Sequence, residues 1–173
     1  MPRNIEIKAR IDSVAALLPR AQAVAGGKPE TIHQDDTFFR VPNGRLKLRE
    51  FEGGSAELIH YHRSDSTEAK ASDYVRVSVP DAAALREALT RGCGVLGRVR
   101  KERVLLLVNE GGCNTRIHLD RVEGLGDFIE LEVVLQDGQR DDEGAAEAER
   151  LMAALGLQDA PRLAGSYLDL LQR

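Results

Sequence analysis

The chain has 173 residues, 42% of them hydrophobic and 30% charged, the composition of an ordinary soluble globular protein with length for a single domain over 1–173. A formal charge of −4 and a pI near 5.6 argue against nucleic acid as the main partner, because duplex binders usually carry a net basic face. No apolar run is long enough to span a membrane, and the N-terminal MPRNIEIKAR has no apolar signal core, so no membrane partner is expected. Cys93 and Cys113 each sit beside glycine without metal-ligand spacing, and read as two free thiols in a reducing cytoplasm.

In chain order, alternating polarity predicts a first strand over Arg3–Ile11. Ser13 to Ala25 has apolar residues at helical spacing (Val14, Leu17, Leu18, Ala21, Val24), with Pro19 expected to kink or delay the helix. Strands follow over Ile32–Val41 and Arg45–Phe51, joined by Pro42-Asn43-Gly44, whose glycine can supply a positive φ. Gly53–Gly54 turns the chain into a strand over Glu57–Arg63, and the polar stretch Ser64–Lys70 reads as a mobile loop before a strand over Asp73–Val79. A helix over Asp81–Arg91 is capped by Asp81 and ended by Gly92. Strands over Val99–Val108, Thr115–Arg121 and Phe128–Leu135 complete the set, with Gly111–Gly112 as a hairpin turn. Asp137–Asp142 is the clearest loop. It leads to a helix over Asp141–Leu155, whose acids suit the positive end of a helix dipole, and to a last helix from Pro161 to the C-terminus. Strands joined mostly by short turns favour antiparallel pairing.

The strand faces carry the functional signal. Ile5, Ile7, Ala9 and Ile11 share one face of the first strand, and Asn4, Glu6, Lys8 and Arg10 the other. Leu46 and Leu48 oppose Arg45, Lys47 and Arg49; Ile117 and Leu119 oppose Arg116, His118 and Asp120; Ile129, Leu131 and Val133 oppose Glu130 and Glu132. On the sixth strand Lys101 and Arg103 share a face with Val99, Leu105 and Leu107. An ordinary sheet would turn such charges to water. These faces, however, are dense in arginine, lysine and carboxylates and poor in Ser, Thr and Gln. The alternative is a closed tunnel with apolar faces outward under helices and charged faces lining the lumen. Burying ions is costly unless they are paired, and mixed signs, water and a charged ligand with a metal would offset that cost. Glu6, Asp120, Glu130 and Glu132 are hard oxygen ligands suited to Mg²⁺ or Mn²⁺. Lys8, Lys47, Arg49, Lys101, Arg103 and Arg116 suit phosphate oxygens.

These stretches resemble the CYTH superfamily, which contains class IV adenylyl cyclases, thiamine triphosphatases and inorganic triphosphatases. The family's N-terminal E-x-E-x-K strand reads here Asn4-Ile5-Glu6-Ile7-Lys8, and the stretch from Leu119 to Glu132 (LDRVEGLGDFIELE) is very similar to its C-terminal motif. Gln34–Phe39, Leu46–Arg49, Lys101–Arg103 and Gly165–Leu171 fit as well. The resemblance implies an α+β fold, an eight-stranded closed antiparallel β-tunnel with helices outside. It also implies metal ligation by Glu6, Asp120, Glu130 and Glu132 and phosphate contacts by Lys8, Lys47, Arg49, Lys101, Arg103 and Arg116, with Arg63 and Lys70 as less securely aligned candidates. Asn4 replaces the first hallmark glutamate. An amide keeps a neutral oxygen but removes a charge, which implies a weaker metal site or one metal fewer.

The leading expectation is a metal-dependent enzyme that hydrolyses tripolyphosphate, thiamine triphosphate or a nucleoside triphosphate, with Lys8 orienting or deprotonating the attacking water. A class IV-type adenylyl cyclase is the second reading and a non-catalytic polyphosphate-binding module the third, with a homodimer as the candidate assembly. A cyclase needs an adenine pocket, for which Phe38, Phe39 and Tyr61 are the stacking candidates. His118 is a candidate ligand contact. His60 and His62 share a strand face that could bind a metal, but read more simply as an exposed surface, and His33 has no clustered partner. No G-x-x-x-x-G-K-[ST] loop is present.

Overall fold

Eight strands and four helices follow the sequence in the order β1 (Arg3–Arg10), α1 (Val14–Ala25), β2 (Glu30–Phe39), β3 (Arg45–Phe51), β4 (Ala56–Arg63), β5 (Lys70–Val79), α2 (Ala82–Cys93), β6 (Val95–Val108), β7 (Asn114–Val122), β8 (Gly126–Val134), α3 (Asp141–Ala154) and α4 (Tyr167–Leu171) in the computed structural model. It describes residues 3–63, 67–108 and 114–173, without the side chains of Arg63 and Lys70. The expectations for the Gly111–Gly112 turn, for Cys113, for Ser64–Ser66 and for the Arg63 and Lys70 side chains lie outside the described residues.

The strands close into an antiparallel barrel in the order β1-β5-β4-β3-β2-β6-β7-β8, with β8 returning to β1. The alternation in the sequence sets which face turns out. Ile5, Ile7, Ile117, Leu119, Ile129, Leu131 and Val133 are buried on the outside of the barrel wall, in one cluster with Val14 and Ala21 of α1 and Leu151 and Met152 of α3. On the opposite side Phe39, Leu48 and Ala56 form a second cluster, against which Leu85 and Leu89 of α2 pack. Helices α1, α2 and α3 thus supply apolar cover for the outer faces of β1, β3, β7 and β8, whose inner faces are the charged ones.

Three details differ from the expected elements. Pro19 neither delays nor splits α1, which starts at Val14 with the Ser13 hydroxyl accepting from Ala16 N; Pro19 is exposed, so the carbonyl it leaves unbonded can face water. Helix α2 runs past Gly92 to Cys93, because the positive-φ residue that ends it (φ +77°) is Gly94 instead. The segment from Pro161 is not helical. Pro161 O accepts from Arg10 N and Leu163 N donates to Lys8 O, so it pairs with the end of β1, and only Tyr167–Leu171 is helix. The start signal is the capping box in which Ser166 and Asp169 bond reciprocally.

This short C-terminal helix enters the barrel end. Tyr167 and Leu168 pack against Phe38, Val99, Val122 and Phe128, whose side chains point inward. Gly97 makes room, since a methyl group there would lie 2.5 Å from Leu168 Cδ1. Leu131 is fully buried in the outer cluster, between the inward-facing Glu130 and Glu132. Leu131→Ala should therefore destabilise the fold by about 3 kcal/mol, measured by urea unfolding.

Candidate functional site

The charged faces meet inside the barrel around a cavity of about 440 Å³. It is lined by Glu6 and Lys8 from β1, Lys47 and Arg49 from β3, Lys101 and Arg103 from β6, Arg116 and His118 from β7 and Glu130 and Glu132 from β8. Nine of the ten residues singled out from the sequence as metal or phosphate ligands thus share one lumen. Asp120 is the tenth. It faces the same way but is fully buried behind Arg103, and it does not line the cavity.

Two carboxylates hold the cations in place. Asp36 of β2 accepts from Arg49 Nε (2.7 Å) and Nη2 (2.7 Å) and from Lys47 Nζ (3.0 Å), with Lys101 Nζ 3.9 Å away. Burial alone would raise the Asp36 carboxyl, but Arg49, Lys47 and Lys101 outweigh it and hold it well below the usual range. Asp120 accepts from Arg103 Nε (2.7 Å) and Nη2 (2.7 Å) and from the Tyr167 hydroxyl (2.8 Å). Burial pushes this carboxyl up too, yet Arg103 brings it down to about 2. Arg103 Nη2 also reaches Glu130 (2.7 Å), which lies 3.3 Å from Lys8 Nζ. The Tyr167 ring sits beneath two ammonium groups, Lys8 at 4.2 Å and Lys101 at 5.3 Å from its centroid. Neither Asp36 nor Tyr167 was among the site residues read from the sequence. Asp36 alternates in phase with Gln34 and Phe38, so strand periodicity could have placed it in the lumen. Nothing local shows that the terminal Tyr167 folds back into the barrel.

A second group of carboxylates lines the β1–β8 side of the cavity. Glu6 is opposite Glu132 in the β1–β8 ladder. Glu132 accepts from Asn4 Nδ2 and from Arg116 (3.3 Å), and His118 Nε2 is 3.8 Å from it. Buried Asn4 Oδ1, Gln34 Oε1 and His118 Nδ1 have no hydrogen-bond partner among the described residues, and all three side chains line the cavity. Buried polar atoms are nearly always satisfied, so these mark a lumen built for a polar guest. Among the described residues no three carboxylate, imidazole or thiol groups form a ready cage for a metal. Mg²⁺ usually takes one or two carboxylates and completes its shell with water and substrate phosphates. Glu6 and Glu132, opposite each other, with the unpartnered Asn4 oxygen on the same strand face as Glu6, fit a hard cation held in that way.

The lining also has an apolar and aromatic part. Ile59, Tyr61, Tyr74, Phe51 and Leu105 line the β4–β5 side and the neighbouring wall, and Tyr61 faces Tyr74 across the ladder. Phe38 also lines the cavity, but Phe39, expected as a stacking candidate, is buried in the outer cluster with Leu48. One residue of register puts it on the other face.

A cation-rich tunnel inside a closed eight-stranded barrel defines the class of protein. The family model for the CYTH domain matches residues 2–167, and the chain belongs to that family. Solved structures agree in fold. A protein of Pyrococcus horikoshii is 25% identical, with a TM-score of 0.82, covering 96% of this chain and 98% of its own. A Vibrio parahaemolyticus protein provisionally called an adenylate cyclase is 20% identical, with a TM-score of 0.78 and 98% of each chain covered. A provisionally named adenylyl cyclase from Hippeastrum, described as having a dominant triphosphatase activity, is 16% identical, with a TM-score of 0.69, covering 99% of this chain and 95% of its own. Among curated proteins there is no match. Among the described residues no helix is long and apolar enough to cross a membrane.

The carboxylates Asp36, Asp120 and Glu130 are all held below their ordinary range. Their stabilisation is complete above the unfolded carboxylate range, near pH 4, and is lost as pH falls toward 2. A denaturation series from pH 5 to pH 2 should show that loss. Asp120→Asn, which leaves Arg103 buried without its full counter-charge, should cost roughly 3 kcal/mol at pH 7 and flatten the profile.

Proposed function

We propose that this protein is a metal-dependent triphosphatase that hydrolyses a linear triphosphate inside the barrel. The observation that carries the reading is the charge balance of the lumen. Lys8, Lys47, Arg49, Arg76, Lys101, Arg103 and Arg116 line it against the carboxylates Glu6, Asp36, Glu57, Glu130 and Glu132. That excess of positive charge suits a polyanion that has given up part of its own charge to a divalent cation. The triphosphatase activity ascribed to the Hippeastrum relative supports the same reading.

Lys47, Arg49, Lys101 and Arg103 would grip the phosphate chain, since each is already aimed inward by Asp36 or Asp120 and needs little reordering. Arg116 would meet one end of it. Glu6, Glu130 and Glu132, with the Asn4 amide oxygen, would hold Mg²⁺ or Mn²⁺, which when bound neutralises and polarises phosphate oxygens. Asp120 would act from behind by fixing Arg103. Lys8, between Glu130 and the Tyr167 ring, would orient the attacking water at the terminal phosphorus, and the water's proton would leave on the phosphate released.

The aromatic side of the lumen favours one further reading. A nucleoside triphosphate could lay its base against Tyr61 and Tyr74, and attack by the ribose 3′-hydroxyl on the α-phosphate would then give cyclic AMP and pyrophosphate. A panel of tripolyphosphate, thiamine triphosphate and ATP with Mg²⁺ or Mn²⁺, with products separated by chromatography, distinguishes the two. Metal-dependent phosphate release that falls at least about a hundredfold in Glu132→Gln supports hydrolysis. Cyclic AMP with pyrophosphate would replace hydrolysis by cyclisation. Tight binding without turnover would reduce the protein to a binding module.

Binding should also carry a proton signature. Burial, with Arg49 adding to it, lowers the Lys47 ammonium to about 8 in the free protein, against the pull of Asp36. A bound polyanion favours the charged form, so triphosphate binding should take up a proton at and above pH 8, and affinity should fall as pH rises through that value. Calorimetry in buffers of different ionisation enthalpy measures the uptake, and Lys47→Ala should reduce it to the part contributed by Lys101, which burial also lowers.

A further inference from the structure

A second metal-binding arrangement lies outside the barrel. His60 and His62 alternate with Ile59 and Tyr61 along β4, so while the latter line the cavity the two imidazoles stand on the outer wall. Their rings are 5.0 Å apart, edge to face. Beside them the β2–β3 hairpin passes through Gly44 at φ +65°. A methyl group placed on Gly44 would lie 2.8 Å from His60 Nε2, 2.9 Å from His62 Nε2 and 2.8 Å from the carbonyl oxygen of Tyr61. Both imidazole Nε2 atoms thus lie on the same side, close against Gly44, and any larger residue there would push the two rings away.

We propose that His60 and His62 form a surface site for a borderline divalent transition cation of the class Cu²⁺, Ni²⁺ or Zn²⁺. Neutral imidazole is the preferred ligand of these ions, whereas the carboxylates of the lumen suit hard ions. Side-chain torsions at the surface let the two rings swing outward from Gly44, so that both Nε2 atoms meet one ion beyond the glycine at about 2 Å. His60 Nε2 lies 3.0 Å from the carbonyl oxygen of Asn43. To bind, that ring must give up this contact and carry its proton on Nδ1, so the Nε2 lone pair turns to the metal. Water completes the shell. The site rests on geometry outside the tunnel, and the fate of the triphosphatase reading leaves it unchanged.

The test titrates Ni²⁺ into the full chain in the absence of phosphate, by calorimetry, with the wild type, His60→Ala, His62→Ala and Glu132→Gln. Both histidines are on the surface, so the variants should keep the wild-type circular dichroism spectrum. The site requires one Ni²⁺ bound by the wild type, affinity weakened by more than about tenfold in each histidine variant, and unchanged affinity in Glu132→Gln. Cu²⁺ should show nitrogen coupling in its paramagnetic resonance spectrum from the wild type, reduced in His62→Ala. Binding that survives both histidine changes, or that disappears only in Glu132→Gln, overturns the proposal, as does a wild type that binds no Ni²⁺.

Discussion

The structure depends on a single constraint: a sheet closed on itself with its charged face inward must pair those charges before any ligand arrives. Asp36 and Asp120 do this. Each is almost wholly buried, and each accepts a bidentate arginine plus a second donor, a lysine for Asp36 and a tyrosine for Asp120. The favourable charge pairing exceeds the burial penalty at both carboxyls, as their lowered proton affinities show. The lysine ends, by contrast, remain poorly compensated. Lys47 and Lys101 are both pushed down by burial, Lys101 strongly. Arg49 and Arg103 are thus held by bidentate carboxylates, while the lysines are left wanting negative charge.

That division gives the lumen its character. Arginine cannot release its proton in a protein, and so serves as fixed scaffold charge; lysine titrates when buried and responds to what enters. A polyanion reaching the lumen meets groups already aimed, with little ordering still to lose. The unpartnered polar atoms of Asn4, Gln34 and His118 point the same way, since their side chains line the cavity.

The helices make the inverted sheet possible. Without α1, α2 and α3 the outward face, with Ile5, Ile117, Leu131 and Leu48, would meet water, and the strands would turn it inward instead. The C-terminal helix does a different task. It places an aromatic ring inside one end of the barrel, where the ring faces two ammonium groups and its hydroxyl supports Asp120. The barrel interior is therefore polar through its middle and closed by apolar contacts at that end.

Much of this was legible in the sequence, and the reason is the strand's period of two. Asn4, Glu6 and Lys8, or Glu130 and Glu132, announce a common face whatever the rest of the chain does, and their density of charge separates a lumen from a solvated surface. Phe39, offered with Phe38 as a stacking candidate, lies outside because the same rule sends adjacent residues to opposite faces. What the sequence could not determine is how faces from strands far apart in the chain meet. Asp36 reads alone as one more strand acid, and becomes a hub only because β3 brings Lys47 and Arg49 beside it and β6 brings Lys101. Asp120 reads as a ligand of the lumen, yet Arg103 and Tyr167 occupy both its oxygens. The sequence by itself determined the inward and outward faces, because alternation is a property of one strand. Only the tertiary structure decided which charge pairs with which, because those distances are set by barrel closure and by a C-terminal turn that folds back across the whole chain.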